Sequence, residues 1–418
     1  MSRFIATTHS GSLPRVEALD RANEERGRLS RDGILPGNAA DVDYDRIVAQ
    51  SVDQVVQQQL DDGIDIVNDG EYGKTVVSNI DAHAWFGYIE QRVSGWQVFD
   101  HPQSAEEQVP STRSALRLSA HGQRRDRIRF HDVYTDPTSG VRITKQTAFP
   151  RITGPITYIG QQAVSRDITN LNTALAKHPG VQGFISSISP GSASRIDNVY
   201  YATQEELIWA WADALHEEYQ AIVDAGLILQ IDDPSLAENW DQINPEPSVE
   251  DYQEFTRIRI DALNYALRGI PADRVRLHVC WGSWHGPHTT DIPLRDLIDV
   301  LFEARVGAYL LEAGNPRHEH EWQVWEDVTL PDDKILVPGV ISHCTNVVEH
   351  PELVAQRIER FAKLVGPDRV IAGTDCGLGG RVHPHIARAK LRALAQGAHI
   401  ASERLSQPSR STLARNQQ

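Results

Sequence analysis

Apolar residues recur along the chain in two alternating registers. From Asp41 to Asp62 they fall at helical spacing (Ile47, Val48, Val52, Val55, Val56, Leu60), Gly63 then stops the pattern, and the strand-like run Ile64-Asp-Ile-Val follows. The unit repeats. A helix over Glu205 to Asp224 precedes Gly226 and the run Leu227 to Ile231, and one over Tyr252 to Leu267 precedes Val275 to Val279. Pro293 to Ala304 leads into Ala308 to Glu312, Glu319 to Trp325 into Ile335 to Pro338, and Pro351 to Leu364 into Val370 to Gly373. Phe4 to Thr7 and Gly183 to Ile188 bring the candidate strands to eight. Short strands alternating with helices predict an α/β fold, a (β/α)8 TIM barrel. An open doubly wound sheet is the weaker reading, because no glycine-rich strand-to-helix turn marks a dinucleotide site.

Two segments stand outside this rhythm. Residues from about 85 to 150 are polar, rich in Arg, His and Gln, and alternate locally, as in Gly140-Val-Arg-Ile-Thr. They are expected to form an inserted hairpin or small subdomain between strands 2 and 3, since barrel insertions collect in the loops at the mouth. Residues 406–418 are polar and low in apolar side chains, and a disordered tail is expected there. Residues 1–405 are then a single barrel carrying that insertion.

Charge and composition narrow the partners. With 41 Lys+Arg against 57 Asp+Glu the formal charge is −16, which disfavours nucleic acid and anionic membrane surfaces. No window approaches the roughly 18 apolar residues of a membrane span and no signal-peptide pattern opens the chain, so a cytoplasmic location and a small-molecule ligand are expected. Three cysteines, Cys280, Cys344 and Cys376, are too few for a disulfide framework in a chain of 418 residues.

Their positions suggest chemistry instead. The fifth strand ends in His278-Val-Cys280, and residues two apart on a strand project from one face, so an imidazole and a thiol point the same way. The sixth strand ends at Glu312 and the last runs into Asp375-Cys376. In a barrel these ends share one mouth. A His, Cys, Glu, Cys set suits tetrahedral Zn²⁺ better than Mg²⁺ or Ca²⁺. Packing is the competing explanation, since an unpaired cysteine is often a small buried hydrophobe, and spacing alone leaves both open.

The motifs Gly11-Ser-Leu-Pro14, Asp69-Gly-Glu71, Gln230-Ile-Asp-Asp-Pro234, His278-Val-Cys280, Leu311-Glu312, Pro338-Gly-Val340 and Asp375-Cys-Gly-Leu378 occur in this order over most of the chain. Together they resemble the catalytic barrel of cobalamin-independent methionine synthase and the wider group of zinc-dependent thiol alkyltransferases, which includes epoxyalkane:coenzyme M transferase. The resemblance is to the core-only form of that family. It implies that His278, Cys280, Glu312 and Cys376 hold zinc, and that Ser12, Glu71 and Asp232 hold an amino-acid substrate. It further implies that Glu238 contacts the methyl donor and that a histidine near Gly339 serves as general acid. A thiol is mostly protonated at neutral pH, and zinc would hold it as the nucleophilic thiolate.

The chain also departs from the family. The Arg-Cys pair and the Trp that hold folate have no counterpart in Gly154-Pro-Ile-Thr or in Ser189 to Ser194, and the family's acid histidine falls on Cys344, with His343 one place before it. His343 is therefore the candidate general acid. Trp281 and Trp284, in the loop after Cys280, could stack on a flat substrate or cover the rim. The expected activity is methyl transfer from a methyl or alkyl donor to a thiol, homocysteine foremost, giving methionine. Alternatives are alkyl transfer to or from another thiol (epoxide opening, demethylation or carbon–sulfur lysis), or a non-catalytic ligand-binding barrel stabilised by zinc.

Overall fold

The computed structural model describes residues 5–31, 42–74, 85–99, 111–112, 115–119, 121–141 and 149–406. Ten strands are present among them: β1 (Ile66–Asn68), β2 (Val93–Phe99), β3 (Phe149–Tyr158), β4 (Gln182–Ile188), β5 (Asp197–Asn198), β6 (Ile228–Asp232), β7 (Val275–Val279), β8 (Ala308–Glu312), β9 (Ile335–Ile341) and β10 (Gly373–Thr374). Seven form one parallel sheet in the order β1-β4-β6-β7-β8-β9-β10. Residues 5–8 lie between the two ends of this sheet: Ile66 N–H donates to the Thr7 carbonyl (3.0 Å) and Thr8 N–H to that of Ala372 (2.9 Å). The expected first strand is thus a single bridge, Thr7 to Ala372, and Phe4 lies outside the described residues.

The strands read as near-continuous apolar runs because both faces of the sheet are covered. Every residue of β7 is buried, and so are Leu229, Ile231, Tyr309, Leu311 and Val340. The helices between strands begin and end where the chemistry of their ends dictates. Thr203 and Ser248 accept the N–H groups of Glu206 and Asp251 at the starts of Gln204–Asp224 and Val249–Ala266. Gly63, at φ +89°, closes Val42–Asp61. The helix expected over Pro293 to Ala304 is reduced to a 3₁₀ turn (Leu294–Asp296) and one turn of α-helix (Ile298–Leu301). That over Glu319 to Trp325 is likewise a 3₁₀ segment (Glu319–Gln323) running into Val324–Asp327.

The segment expected to be an insertion contains the helix Trp85–Arg92 and β2, which pairs antiparallel with β3. β3 also pairs with β5, making a separate three-stranded sheet. Between β2 and β3 lie two single-turn helices, Arg125–Arg129 and His131–Thr135. Most of the predicted tail, residues 407–418, lies outside the described residues. No helix among the described residues is long and apolar enough to cross a membrane.

Candidate metal centre

The carboxyl ends of β6, β7 and β8, together with the turn after β10, carry the side chains of interest. Asp232 and His278 are register partners on adjacent strands, and His278 Nδ1 lies 2.9 Å from Asp232 Oδ1. The other ring nitrogen is thereby turned towards the turn after β10, 3.3 Å from the Asp375 carbonyl. The ligand atoms of His278, Cys280 and Cys376 all lie within 4.8 Å of one another. Hydrogen bonding from Cys280 and the nearby His278 hold the Cys376 thiol well below its ordinary pKa, and Cys280 is correspondingly raised. Burial opposes charge on His278, yet its contacts with Asp232 and Cys376 outweigh this and raise its pKa. One imidazole and two sulfurs converging in a buried pocket are a fitting donor set for Zn²⁺.

Glu312 stands beside this trio without joining it. Its Oε1 accepts the Trp281 N–H (3.0 Å) and its Oε2 the Asn315 amide (2.7 Å). Burial lifts its pKa to about 8, opposed by His318 and reinforced by Asp375 and Cys376. Asp375 is gripped by the loop after β8, accepting from Ala313 and Gly314 N–H groups at 2.8 Å each and from Asn315 at 2.9 Å. Gly339 permits this approach, for a Cβ there would lie 2.4 Å from the Asp375 Cα.

Ser12, Glu71 and Asp232 are brought to the same mouth. The Ser12 carbonyl accepts the N–H groups of Leu378 and Gly379 (2.8 and 3.0 Å), so its turn rests on the loop that follows Cys376. Glu71 has φ +62°, a left-handed conformation that is uncommon for a side-chain-bearing residue and concentrates at functional sites. Its carboxylate lies against Gly11, where a Cβ would come within 2.3 Å of Oε1, and pairs with Lys74 at 3.4 Å. Burial raises the Glu71 pKa; Lys74 opposes the shift and nearby Asp232 adds to it. Two neighbouring buried acids of this kind favour an incoming cation.

Glu238 is differently placed. It lies on the helix Ser235–Gln242 beyond β6, and its two oxygens are taken by Arg124 (2.5 Å) and Arg195 (2.7 Å). The Arg124 guanidinium also covers the Trp284 ring at 4.5 Å, His288 stacks on the same ring at 4.0 Å, and Trp284 Nε1 donates to the Tyr134 hydroxyl at 2.8 Å. Trp284 therefore covers the rim, while Trp281 is buried against His318 (4.1 Å between centroids). His343 is buried, its Nδ1 has no hydrogen-bond partner among the described residues, and its Nε2 lies 3.2 Å from Cys344 Sγ. Burial lowers its pKa to about 4, so the ring is neutral at pH 7.

Sequence reasoning gave no role to Asn315, Asp375, Arg124 or Arg195. Two of these carried a signal, Asp375 as the neighbour of Cys376 in a quoted motif and Asn315 three residues past the expected ligand Glu312 on the same loop.

No family model matches the chain. Relatives do. It is 27% identical over 233 residues to 2-hydroxypropyl-CoM lyase of Xanthobacter autotrophicus, covering 49% of this chain and 57% of that protein. It is 23% identical over 407 residues to a methionine synthase of Sulfolobus acidocaldarius, covering 96% and 94%. Against the first, and against other methionine synthases it matches, the chain spans little more than half of the relative's own length. A B12-independent methionine synthase from Shewanella, solved with selenomethionine, superposes with a TM-score of 0.66 over 97% of this chain and 99% of that one, at 19% identity, a likeness of fold. The resemblance read from the motifs is borne out: these relatives carry the names methionine synthase, B12-independent methionine synthase and 2-hydroxypropyl-CoM lyase, all of them enzymes.

Proposed function

We propose that this chain is a zinc-dependent enzyme that transfers a methyl or alkyl group to a thiol, with homocysteine as the acceptor. The observation that carries the reading is the convergence of His278, Cys280 and Cys376 within 4.8 Å at the ends of parallel strands. The relatives' names supply the reaction class. We take residues 5–8 as the eighth strand, closing a single (β/α)8 barrel over residues 1–405 whose mouth holds the site, and we place the enzyme in the cytoplasm.

His278, Cys280 and Cys376 would hold the ion, with Glu312 as a fourth ligand. Bound there, Zn²⁺ supplies the Lewis acidity that lowers the pKa of a substrate thiol into the neutral range. The chain's own groups do the rest. Asp232 fixes His278 through Nδ1, which orients Nε2 towards the cysteines. Glu71 and Asp232 meet the substrate ammonium, whose positive charge offsets their mutual repulsion, and the turn at Ser12 meets its carboxylate. His343, neutral and with no hydrogen-bond partner at Nδ1 among the described residues, can take up the proton released by the substrate thiol and pass it to the departing methyl donor. Trp281 packed on His318 closes the wall beside Glu312 and excludes water.

A second reading keeps the zinc and changes the reactants. Glu238 and Trp284, the groups best suited to a flat donor, are already engaged by Arg124, Arg195, His288 and Tyr134. That favours a donor other than folate, or a thiol other than homocysteine. One experiment separates the readings: the purified protein should contain one zinc per chain and methylate homocysteine. One zinc per chain with turnover of a different thiol or an epoxide would support the second reading, and absence of tightly bound zinc would end both.

His343→Asn should lower turnover by roughly 10²- to 10⁴-fold, the usual contribution of a positioned acid or base, with zinc content and thiol KM unchanged. Wild-type turnover in this variant, measured with saturating homocysteine and donor, would remove His343 from the proton pathway.

A further inference from the structure

The loop that follows β9 carries His343, and no main-chain to main-chain hydrogen bond holds residues 342–349 among the described residues. Side chains hold it instead. Its tip is exposed at Val347, whereas Ser342, His343 and Glu349 are buried. The Glu349 carboxylate folds back onto the start of the loop, where its Oε1 accepts the Ser342 N–H at 2.8 Å. Ser342 Oγ in turn accepts the Cys344 N–H at 3.1 Å. His343 therefore sits between two residues whose main-chain N–H groups are both tied down.

Beyond the 3.4 Å approach of His285 Nε2 to the His343 carbonyl, the polar tie from this loop to the rest of the described residues is made by Lys390. That lysine lies on the helix Pro384–Ser406 and is wholly buried. An ammonium group has three N–H donors, and acceptors for all three lie on this loop: the Val347 carbonyl at 2.7 Å, Glu349 Oε2 at 2.9 Å and Glu349 Oε1 at 3.1 Å. Taking such a pair out of water is costly, and apolar replacements of buried pairs are often neutral or stabilising. Stability alone thus explains this pair poorly. What its contacts specify is the path of one short loop.

Resting on the assignment of His343 to the proton pathway, we propose that Lys390 and Glu349 are positioning residues that hold the His343 imidazole in register with the departing group. The step they serve balances with one proton. A sulfur–carbon bond forms while the carbon–nitrogen bond of an amine donor, or the carbon–oxygen bond of an epoxide, breaks. The proton given up by the thiol ends on that nitrogen or oxygen by way of His343. Iodide leaving methyl iodide needs no proton, so a misplaced imidazole slows the first kind of reaction more than the second. Lys390→Met removes the clamp. The double variant Lys390→Met/Glu349→Gln leaves no charge of the pair buried alone, and the glutamine oxygen still accepts the Ser342 N–H.

The test uses the full chain loaded with Zn²⁺ and L-homocysteine as the thiol. 5-Methyltetrahydrofolate and epoxypropane are the electrophiles whose leaving group needs a proton, and methyl iodide is the one whose leaving group does not. Lys390→Met should lower kcat with a proton-requiring electrophile by roughly 10- to 100-fold, the scale of a misplaced catalytic group, with zinc content and homocysteine KM unchanged. The loss with methyl iodide should be at least about fivefold smaller. In the His343→Asn background the same change should cost less than about twofold, because both effects pass through one side chain. Equal slowing with both kinds of electrophile, or a full further loss in the His343→Asn background, would overturn the proposal and leave the pair as a support of the fold. So would wild-type turnover in Lys390→Met. If Lys390→Met does not fold, the double variant decides by the same comparisons. Wild-type turnover in His343→Asn, or a parent that reacts with methyl iodide alone or not at all, fails the underlying reading. That outcome is distinct from a slow His343→Asn beside a normal Lys390→Met.

Discussion

Cys376→Ser is expected to bind zinc at least about 100-fold more weakly than the parent and to lose measurable alkyl transfer. Of the three clustered ligand atoms, Cys376 Sγ is the one towards which the others are arranged: Cys280 and His278 both stabilise its anionic form. A serine hydroxyl is a harder donor and stays protonated at neutral pH, so two soft ligands would remain where three stood. The loss should exceed the roughly 10- to 100-fold seen when only an orienting partner of a ligand is removed. Cys376 is half-buried in the turn after β10 and lies outside the apolar core, so the variant should fold, as an unchanged circular dichroism spectrum would register. Competition with a chromophoric chelator measures the affinity. Unchanged zinc binding in this variant would move the metal elsewhere in the molecule.

Arg92→Met should be the most damaging single change to stability away from the site. Arg92 is 3% exposed and bridges two buried acids, Asp167 at 2.6 Å and Glu218 at 2.7 Å. Glu218 also accepts from Ser187 (3.0 Å), Tyr158 (2.9 Å) and Tyr88. These contacts join the helix Trp85–Arg92, β3, β4, the helix Gln161–Leu175 and the helix Gln204–Asp224. Removing the cation leaves Glu218 buried without its ion-pair partner and Asp167 with Arg166 alone, and breaking a buried pair in this way costs about 3–5 kcal/mol.

The cost should depend on pH. In the parent, burial opposes charge on Asp167, but Arg166 and Arg92 outweigh it and hold its carboxyl below the usual range. A depressed folded-state pKa contributes stability that is present above the unfolded value and lost as pH falls through the folded one. In the variant only Arg166 is left to oppose burial at Asp167, so its carboxyl rises, takes up a proton more readily as pH falls, and the penalty shrinks. Urea denaturation at pH 7.5 and pH 5 should therefore show a smaller gap at the lower pH. A gap that is constant, or below about 1 kcal/mol at both values, would mean that water reaches the network.

Much of the large sheet was legible because its strands are buried on both faces, and burial on both faces leaves a continuous apolar run. Gly63 and Gly226 punctuated the pattern where the chain needed φ above zero. His278 and Cys280 could be paired from a two-residue spacing, and Glu312 and Cys376 could be placed at strand ends. What spacing could not give was distance. Nothing local says that Glu312 meets Asn315, since the outcome depends on which way a loop turns. Glu238 looked free, yet it meets Arg195 and Arg124, 43 and 114 residues away in sequence. β5 is two polar residues with no pattern of its own, and it pairs only because β3 runs past it.

The two small helices between β2 and β3 rest on the loops beyond β6 and β7. Asp126 receives the Thr289 N–H (3.0 Å), its own N–H donates to Asp241 (2.9 Å), and Tyr134 receives Trp284. None of the cluster residues belongs to this flap. Residues 121–135 and the strands that carry His278 and Cys280 are consequently separable parts, and mutagenesis libraries confined to the flap could alter the rim while the cluster of His278, Cys280 and Cys376 stays untouched.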